Sequence, residues 1–121
     1  MKTRQLVSML SVADVERSIA FYRHLGFEVG NTFAPAGTTT PSWAWLHSGE
    51  AQLMLSAASE PVVADKQGVL FYAYTDDVAA AHASLLEAGL NPGEITFPFY
   101  NPRGEFELVD PDGYVVMITH T

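Results

Sequence analysis

The stretch VADVERSIAFYRHLGFEV, residues 12–29, is the best guide to the architecture, because its pattern occurs a second time in the chain. A shift of 63 positions places it over TDDVAAAHASLLEAGLNP, residues 75–92. The aligned pairs are Asp14 with Asp77, Val15 with Val78, Gly26 with Gly89 and Phe27 with Leu90. Self-similarity at a fixed offset is typical of a duplicated structural unit. We therefore predict two copies of one unit in tandem.

Each stretch predicts a helix that begins after an aspartate and ends at a glycine. Asp14 and Asp77 can accept hydrogen bonds from the first turn of a helix. Gly26 and Gly89 stand where a helix end favours the left-handed conformation. Apolar residues recur at helical spacing on one side of each helix. These residues are Val15, Ile19, Phe21, Tyr22 and Leu25 in the first, and Val78, Ala81, Leu85 and Ala88 in the second.

Strand-like segments surround both helices. One short apolar run precedes each helix and three segments follow it, so each unit reads βαβββ. The sequences SGE at 48–50 and PDG at 111–113 suit hairpin turns between the last two strands of each unit. The predicted strands are 5–12, 27–34, 42–47 and 51–56 in the first unit, and 69–75, 94–97, 105–109 and 114–119 in the second.

The length of 121 residues fits a single domain. Residues 57–68, AASEPVVADKQG, are small and polar and have no clear periodicity, which indicates a linker. We predict one domain with module one at about 3–57, a linker at 58–68 and module two at about 69–121. The irregular segment 97–104, FPFYNPRG, could form a loop over a pocket.

Composition restricts the partners. The formal charge of −8, from 14 acidic and 6 basic residues, argues against nucleic acid or an anionic membrane as partner. A neutral or cationic small ligand fits this charge, and so does acidity that serves only solubility. The chain contains no cysteine, which excludes disulfides and thiolate sites. No apolar run approaches the ~20 residues of a membrane span, so we expect a cytoplasmic protein.

Two motifs carry a family resemblance: ADVERSIAFYRHLGF at 13–27 and EFELVDPDGYVVMI at 105–118. With the duplicated layout, they resemble the vicinal oxygen chelate superfamily, which includes glyoxalases, extradiol dioxygenases, fosfomycin-resistance proteins and bleomycin-resistance proteins. The resemblance covers nearly the whole chain. It implies an α+β fold in which two tandem βαβββ modules form a curved, trough-like mixed sheet with helices on the convex side.

The resemblance also implies where a metal would be held. Metal-dependent members carry His or Glu at four inward positions, which correspond here to Val7, Met54, Leu70 and Met117. A hydrocarbon has no lone pair and a thioether is a soft, weak donor, so none of the four suits a hard divalent cation. We therefore expect no metal and no other cofactor. The histidines, His24, His47, His82 and His120, have no partners at ligand spacing and are expected to be solvent-facing.

Strand alternation extends these positions into a predicted apolar pocket. The expected ligand-binding residues are Val7, Met9, Gln52, Met54, Leu70, Tyr72, Phe99, Tyr100, Glu105, Glu107 and Met117. Alternatively, these side chains only fill the concave face. Glu105 and Glu107 would lie on that face or at its rim, where the matching residues of fosfomycin-resistance proteins face the ligand. Trp43 and Trp45 match Phe106 and Leu108 at the same offset and are predicted to pack with the core.

Three functions follow. The first is metal-independent sequestration of a drug or metabolite, planar or cationic, as in bleomycin-resistance proteins, which would confer antibiotic resistance. The second is a metal-independent lyase or isomerase in which Glu105 or Glu107, if buried against Met117 and Tyr72, is the general base. The third is a metal-dependent glyoxalase or dioxygenase. The resemblance favours a homodimer, and leaves open whether modules pair within one chain or between chains.

Overall fold

The computed structural model describes residues 1–120, and the chain divides into two compact units. Unit 1 is Met1–Val62 and unit 2 is Val63–Thr121. Each contains one helix and one mixed sheet, so the predicted α+β class is confirmed. Neither helix of the described residues has the length and hydropathy needed to cross a membrane.

Unit 1 has a four-stranded sheet in the order β1-β4-β3-β2. β1 is parallel to β4, and the other neighbours are antiparallel. Its elements are β1 (Ser8–Val12), α1 (Val15–Arg23), β2 (Glu28–Phe33), β3 (Trp43–Ser48) and β4 (Ala51–Ala57).

Unit 2 has a three-stranded sheet in the order β5-β7-β6. Here β5 is parallel to β7, and β6 is antiparallel to it. A 3-10 turn at Ala64–Lys66 precedes the sheet. The remaining elements are β5 (Leu70–Tyr74), α2 (Val78–Glu87), β6 (Glu105–Val109) and β7 (Val115–Thr119).

The predicted strand at 94–97 is wrong. Only an isolated bridge joins Thr96 to Glu105, and Gly93 donates one further hydrogen bond to the Glu107 carbonyl at 2.8 Å. Pro92 and Pro98 flank this segment, and a proline has no N–H to give to a sheet ladder. The chain therefore follows the edge of β6 without forming a full strand.

Strand register confirms the duplication. Met9 on β1 pairs with Met54 on β4, and Tyr72 on β5 pairs with Met117 on β7. Tyr72 follows Met9 by 63 positions, and Met117 follows Met54 by the same 63 positions, so the two parallel pairs are equivalent. The offset found in the sequence is the offset of the structure at these four strands.

Both helices begin and end as predicted. The Asp14 carboxylate accepts the Arg17 N–H at 3.1 Å, and the Asp77 carboxylate accepts the Ala80 N–H at 2.9 Å. Gly26 and Gly89 have φ of 88° and 87°, which favours glycine because it has no Cβ. Since the residue after each glycine bonds back to the carbonyl five positions earlier, each helix ends in a Schellman motif.

Each sheet has one closed face, which carries the core. In unit 1 the closed face is aliphatic, and in unit 2 it includes Phe106, which is 1% exposed and meets the ring of His82 on α2 edge-on at 5.0 Å. Because side chains alternate along a strand, the other face of each sheet carries the alternate residues. The buried apolar strand residues are Leu10, Val12, Ala44, Leu46, Leu53 and Leu55 in unit 1, and Phe106, Leu108, Val116 and Ile118 in unit 2.

Candidate functional site

The open face of unit 2 consists of three cross-strand rows, which the strand register defines. It is apolar at one end and polar at the other. The rows are Leu70, Val115 and Val109, then Tyr72, Met117 and Glu107, then Tyr74, Thr119 and Glu105.

Strand β5 forms the exposed edge of this open face. Leu70 is 49% exposed, Tyr72 48% and Tyr74 64%. Three large side chains in succession on one side of one strand thus remain in contact with water. Unpacked apolar area of this kind is typical of an interaction surface.

The two glutamates of β6 have different environments. Glu105 is only 5% exposed, whereas Glu107 is exposed. Glu107 lies in register with Met117, but it is exposed and not buried against Met117 and Tyr72, which was the condition for its role as a general base. Of the two candidate catalytic carboxylates, Glu105 alone is desolvated by its surroundings.

The segment after Pro98 brings further side chains to Glu105. The Tyr100 hydroxyl donates to Glu105 Oε1 at 2.8 Å, and Asn101 Nδ2 lies 3.4 Å from Glu105 Oε2. The same Asn101 nitrogen lies 2.5 Å from Thr119 Oγ1 and 3.2 Å from the Gly104 carbonyl. Asn101 thus links the loop to β6 and β7.

Tyr100 is held in its protonated, donating form. The hydrogen bond to Glu105 raises the pKa of the Tyr100 phenol, and desolvation and the negative charge of Glu105 act in the same direction. At neutral pH the hydroxyl is protonated, as an ordinary phenol also is, and it donates to Glu105. Phe99, which is 97% exposed, meets the Tyr100 ring edge-on at 5.4 Å.

Beside Glu105 lies an open cleft of about 340 Å³ within unit 2. Three tyrosine rings, Tyr72, Tyr74 and Tyr100, line it together with the Glu105 carboxylate. The remaining lining residues are Asn101, Pro102, Arg103, Thr119 and His120. Aromatic faces beside a carboxylate are a chemical environment suited to a cation.

The open face of unit 1 is aromatic, contrary to the sequence prediction for Trp43 and Trp45. Both indoles are half-buried on the face opposite to Ala44 and Leu46, which are the core residues of β3. Trp43 pairs with Ser56 and Trp45 with Met54. The expectation that the two tryptophans pack with the core is therefore wrong.

Trp45 is fixed on this face by three contacts. Its Nε1–H donates to Gln52 Oε1 at 3.1 Å, and its ring lies 5.2 Å from that of His47, tilted by 32°. Gly30 lies beneath the indole, where an added Cβ would come within 2.2 Å of Cε3. Glycine is thus required at position 30 for the indole to lie flat against β2.

The structure places the expected ligand-binding residues in both units. Met9, Met54 and Gln52 lie on the open face of unit 1, while Val7 precedes β1 and belongs to no strand. Six others, Leu70, Tyr72, Tyr100, Glu105, Glu107 and Met117, lie on the open face of unit 2 or at the loop beside it, with Phe99 at the loop tip. These surfaces also include four residues that the sequence did not predict to bind a ligand: Trp43, Trp45, Tyr74 and Asn101.

The residues at the metal positions of the superfamily do not fit a metal. They are two aliphatic side chains, Val7 and Leu70, and two thioethers, Met54 and Met117. Across residues 1–120, no three His, Cys, Asp or Glu side chains come close enough together to hold an ion. The expectation that the histidines face solvent holds for His24 alone. His47, His82 and His120 are half-buried, and His82 Nε2 lies 2.9 Å from the Gly93 carbonyl.

A family model decides the relationship. The model of the Glyoxalase/Bleomycin resistance protein/Dioxygenase superfamily matches residues 5–118. The chain belongs to this superfamily. The resemblance in the two sequence motifs is thereby confirmed. No curated protein sequence matches the chain.

Solved structures of antibiotic-resistance and antibiotic-binding proteins have the same fold. The bleomycin resistance determinant encoded on the transposon Tn5 superposes with a TM-score of 0.77 at 21% identity, over 98% of each chain. A bleomycin-binding protein complexed with bleomycin superposes with a TM-score of 0.75 at 22% identity, over 98% of this chain and 99% of that one. TnmS3, an antibiotic-binding protein from Streptomyces sp. CB03234, superposes with a TM-score of 0.74 at 23% identity, over 99% of this chain and 98% of that one. At such identities these similarities establish the fold alone.

Proposed function

We propose that the protein binds a planar small molecule, a drug or metabolite, and sequesters it without metal and without chemical change. The observation that carries this proposal is the exposure of three successive side chains on one side of β5, Leu70, Tyr72 and Tyr74. Each is about half exposed or more, although the other face of the sheet is closed. A binding pocket is mostly apolar, with a few polar groups that orient the ligand. The open face of unit 2 has this composition.

Two further observations support sequestration over catalysis. Val7, Met54, Leu70 and Met117 cannot polarise a substrate as a metal centre would, because they lack hard donors. Glu105, the desolvated carboxylate, already accepts hydrogen bonds from Tyr100 and Asn101. A base that is engaged in this way is better suited to recognising a ligand than to removing a proton.

Superfamily members that bind antibiotics support the class of ligand. One solved relative is complexed with bleomycin and another is named an antibiotic-binding protein. By this analogy we propose a role in antibiotic resistance, in the cytoplasm, for a single ligand-binding domain that forms a homodimer.

The proposal is tested by thermal unfolding in the presence of bleomycin and ethidium, two cations that carry planar aromatic groups, with benzylpenicillin as a non-planar anion. A ligand at about 100 times its Kd stabilises the folded state by about 2.7 kcal/mol, so we expect the melting temperature to rise by about 5 °C or more with at least one planar compound. Native mass spectrometry of the same mixture should show a dimer with bound ligand.

Matched variants locate the binding surface. Tyr72→Ala should weaken binding by about tenfold or more, because it removes a large aromatic contact from the middle of β5 on the open face. Leu86→Ala is the control, since Leu86 is 53% exposed on α2 and away from that face. Equal affinity of both variants, or no stabilisation by either planar compound, would contradict the proposal.

A further inference from the structure

The buried carboxylate of Glu105 accepts hydrogen bonds from neutral groups. These donors are the Tyr100 hydroxyl and the Asn101 amide. A carboxylate that is 5% exposed has lost most of its hydration. A hydrogen bond from a charged donor would therefore be stronger here than at the surface.

Glu105 Oε2 has unused accepting capacity. A carboxylate offers about four lone-pair positions, and an amide nitrogen has only two protons. Asn101 Nδ2 has three acceptors within reach, and Oε2, at 3.4 Å, is the most distant of them. Oε2 thus retains capacity to accept a further donor, and Glu105 is among the residues that line the cleft.

The walls of the cleft suit the apolar side of the same ligand. Tyr72, Tyr74 and Tyr100 line the same cleft as the Glu105 carboxylate, and Tyr100 contacts it directly. A cation over an aromatic face gains electrostatic attraction in addition to a hydrogen bond. The two basic side chains of the lining, Arg103 and His120, already interact within the chain.

We infer that Glu105 and the three tyrosines form a recognition site for a cation that donates hydrogen bonds: a primary ammonium, amidinium or guanidinium attached to an aromatic group. This rests on the proposed function and specifies its ligand. Quaternary ammonium groups have no N–H, so they would gain only the aromatic contacts. Glu107 takes no part, since its carboxylate is exposed and screened by water.

Three probes of matched shape test this inference: 1-naphthylmethylamine, its N,N,N-trimethyl derivative and 1-naphthalenemethanol. We expect calorimetric titration to show the primary ammonium binding about tenfold or more tightly than the alcohol, with the quaternary ion between them. If the alcohol binds as tightly as the ammonium, the inference is wrong and the proposed function stands. If none of the three probes binds and no planar drug stabilises the protein, both fail.

Glu105→Gln and Glu107→Gln distinguish the contributions of the two carboxylates to binding, because each variant removes one negative charge. Glu105→Gln should abolish the preference for the ammonium over the alcohol, and Glu107→Gln should change it by less than about threefold. The opposite pattern would overturn the inference. Tyr100→Phe keeps the aromatic ring and removes the hydrogen bond to Glu105 Oε1. It should therefore retain or increase the preference for the ammonium over the alcohol. This variant provides the test if Glu105→Gln does not fold. Loss of the preference in Tyr100→Phe would contradict the role of the carboxylate.

Discussion

Phe106→Ala is expected to lower the free energy of unfolding of unit 2 by about 3–5 kcal/mol. Phe106 is 1% exposed on the closed face, and the His82 ring meets it edge-on. Truncation would leave a cavity between the sheet and α2 and would remove the aromatic contact. The loss combines the transfer free energy of the ring with the cavity term.

Chemical denaturation followed by circular dichroism measures this change. Tryptophan fluorescence is less suitable, because Trp43 and Trp45 both lie in unit 1. The matched control is Phe99→Ala, in which an equal side chain that is 97% exposed is removed, with an expected change within about 0.5 kcal/mol. A loss below about 1 kcal/mol for Phe106→Ala would show that this ring does not anchor the core of unit 2.

Asp110→Ala is expected to cost about 2–4 kcal/mol, because the aspartate organises the DPDG turn. Asp110 is 4% exposed, and its Oδ1 accepts the N–H of Asp112 at 2.8 Å and that of Tyr114 at 2.9 Å. Alanine would leave both buried N–H groups without this acceptor. An unsatisfied buried donor costs about 1–3 kcal/mol.

Two further variants separate hydrogen bonding from charge in this turn. Asp110→Asn keeps an oxygen at the same position and should recover more than half of the loss. Asp65→Ala removes an exposed carboxylate and should be nearly neutral in stability. If Asp110→Asn is as destabilising as Asp110→Ala in thermal and chemical unfolding, the turn depends on the charge and our account of it is wrong.

The repeat predicted most of the fold because it is carried by residues with strong local preferences. Two capping aspartates and two helix-ending glycines fix the helices, and the same offset gives the parallel registers of β1 with β4 and β5 with β7. Each of these signals is local in sequence, so sequence periodicity is enough to find it. Pro92 and Pro98, by contrast, weakened the predicted strand at 94–97.

The prediction failed at β3 because the offset there is one residue shorter. Trp43 pairs with Ser56, and Glu105 pairs with Thr119. Ser56 and Thr119 are equivalent positions, since 119 − 56 = 63. Trp43 is therefore equivalent to Glu105, and these two residues are only 105 − 43 = 62 positions apart. A slip of one residue moves every side chain of a strand to the opposite face. The tryptophans of unit 1 therefore occupy the positions that Glu105 and Glu107 occupy in unit 2.

The surroundings of Glu105 could not be read from the sequence. Strand alternation assigned both glutamates to the same face, and they do share it. What separates them is the path of the loop from Pro98 to Gly104, which brings Tyr100 and Asn101 over Glu105 alone. A loop of this kind has no periodicity, so its side-chain contacts emerge only in three dimensions.

The most direct test of the central claim is a titration of isotopically labelled protein with ethidium, followed by amide chemical shifts. Binding at the open face of unit 2 predicts saturable shifts in β5, β7 and the 98–104 loop, with the helix α2 little affected. Shifts confined to α2 or to the 3-10 turn at Ala64–Lys66, or no saturable shifts at all, would contradict the claim.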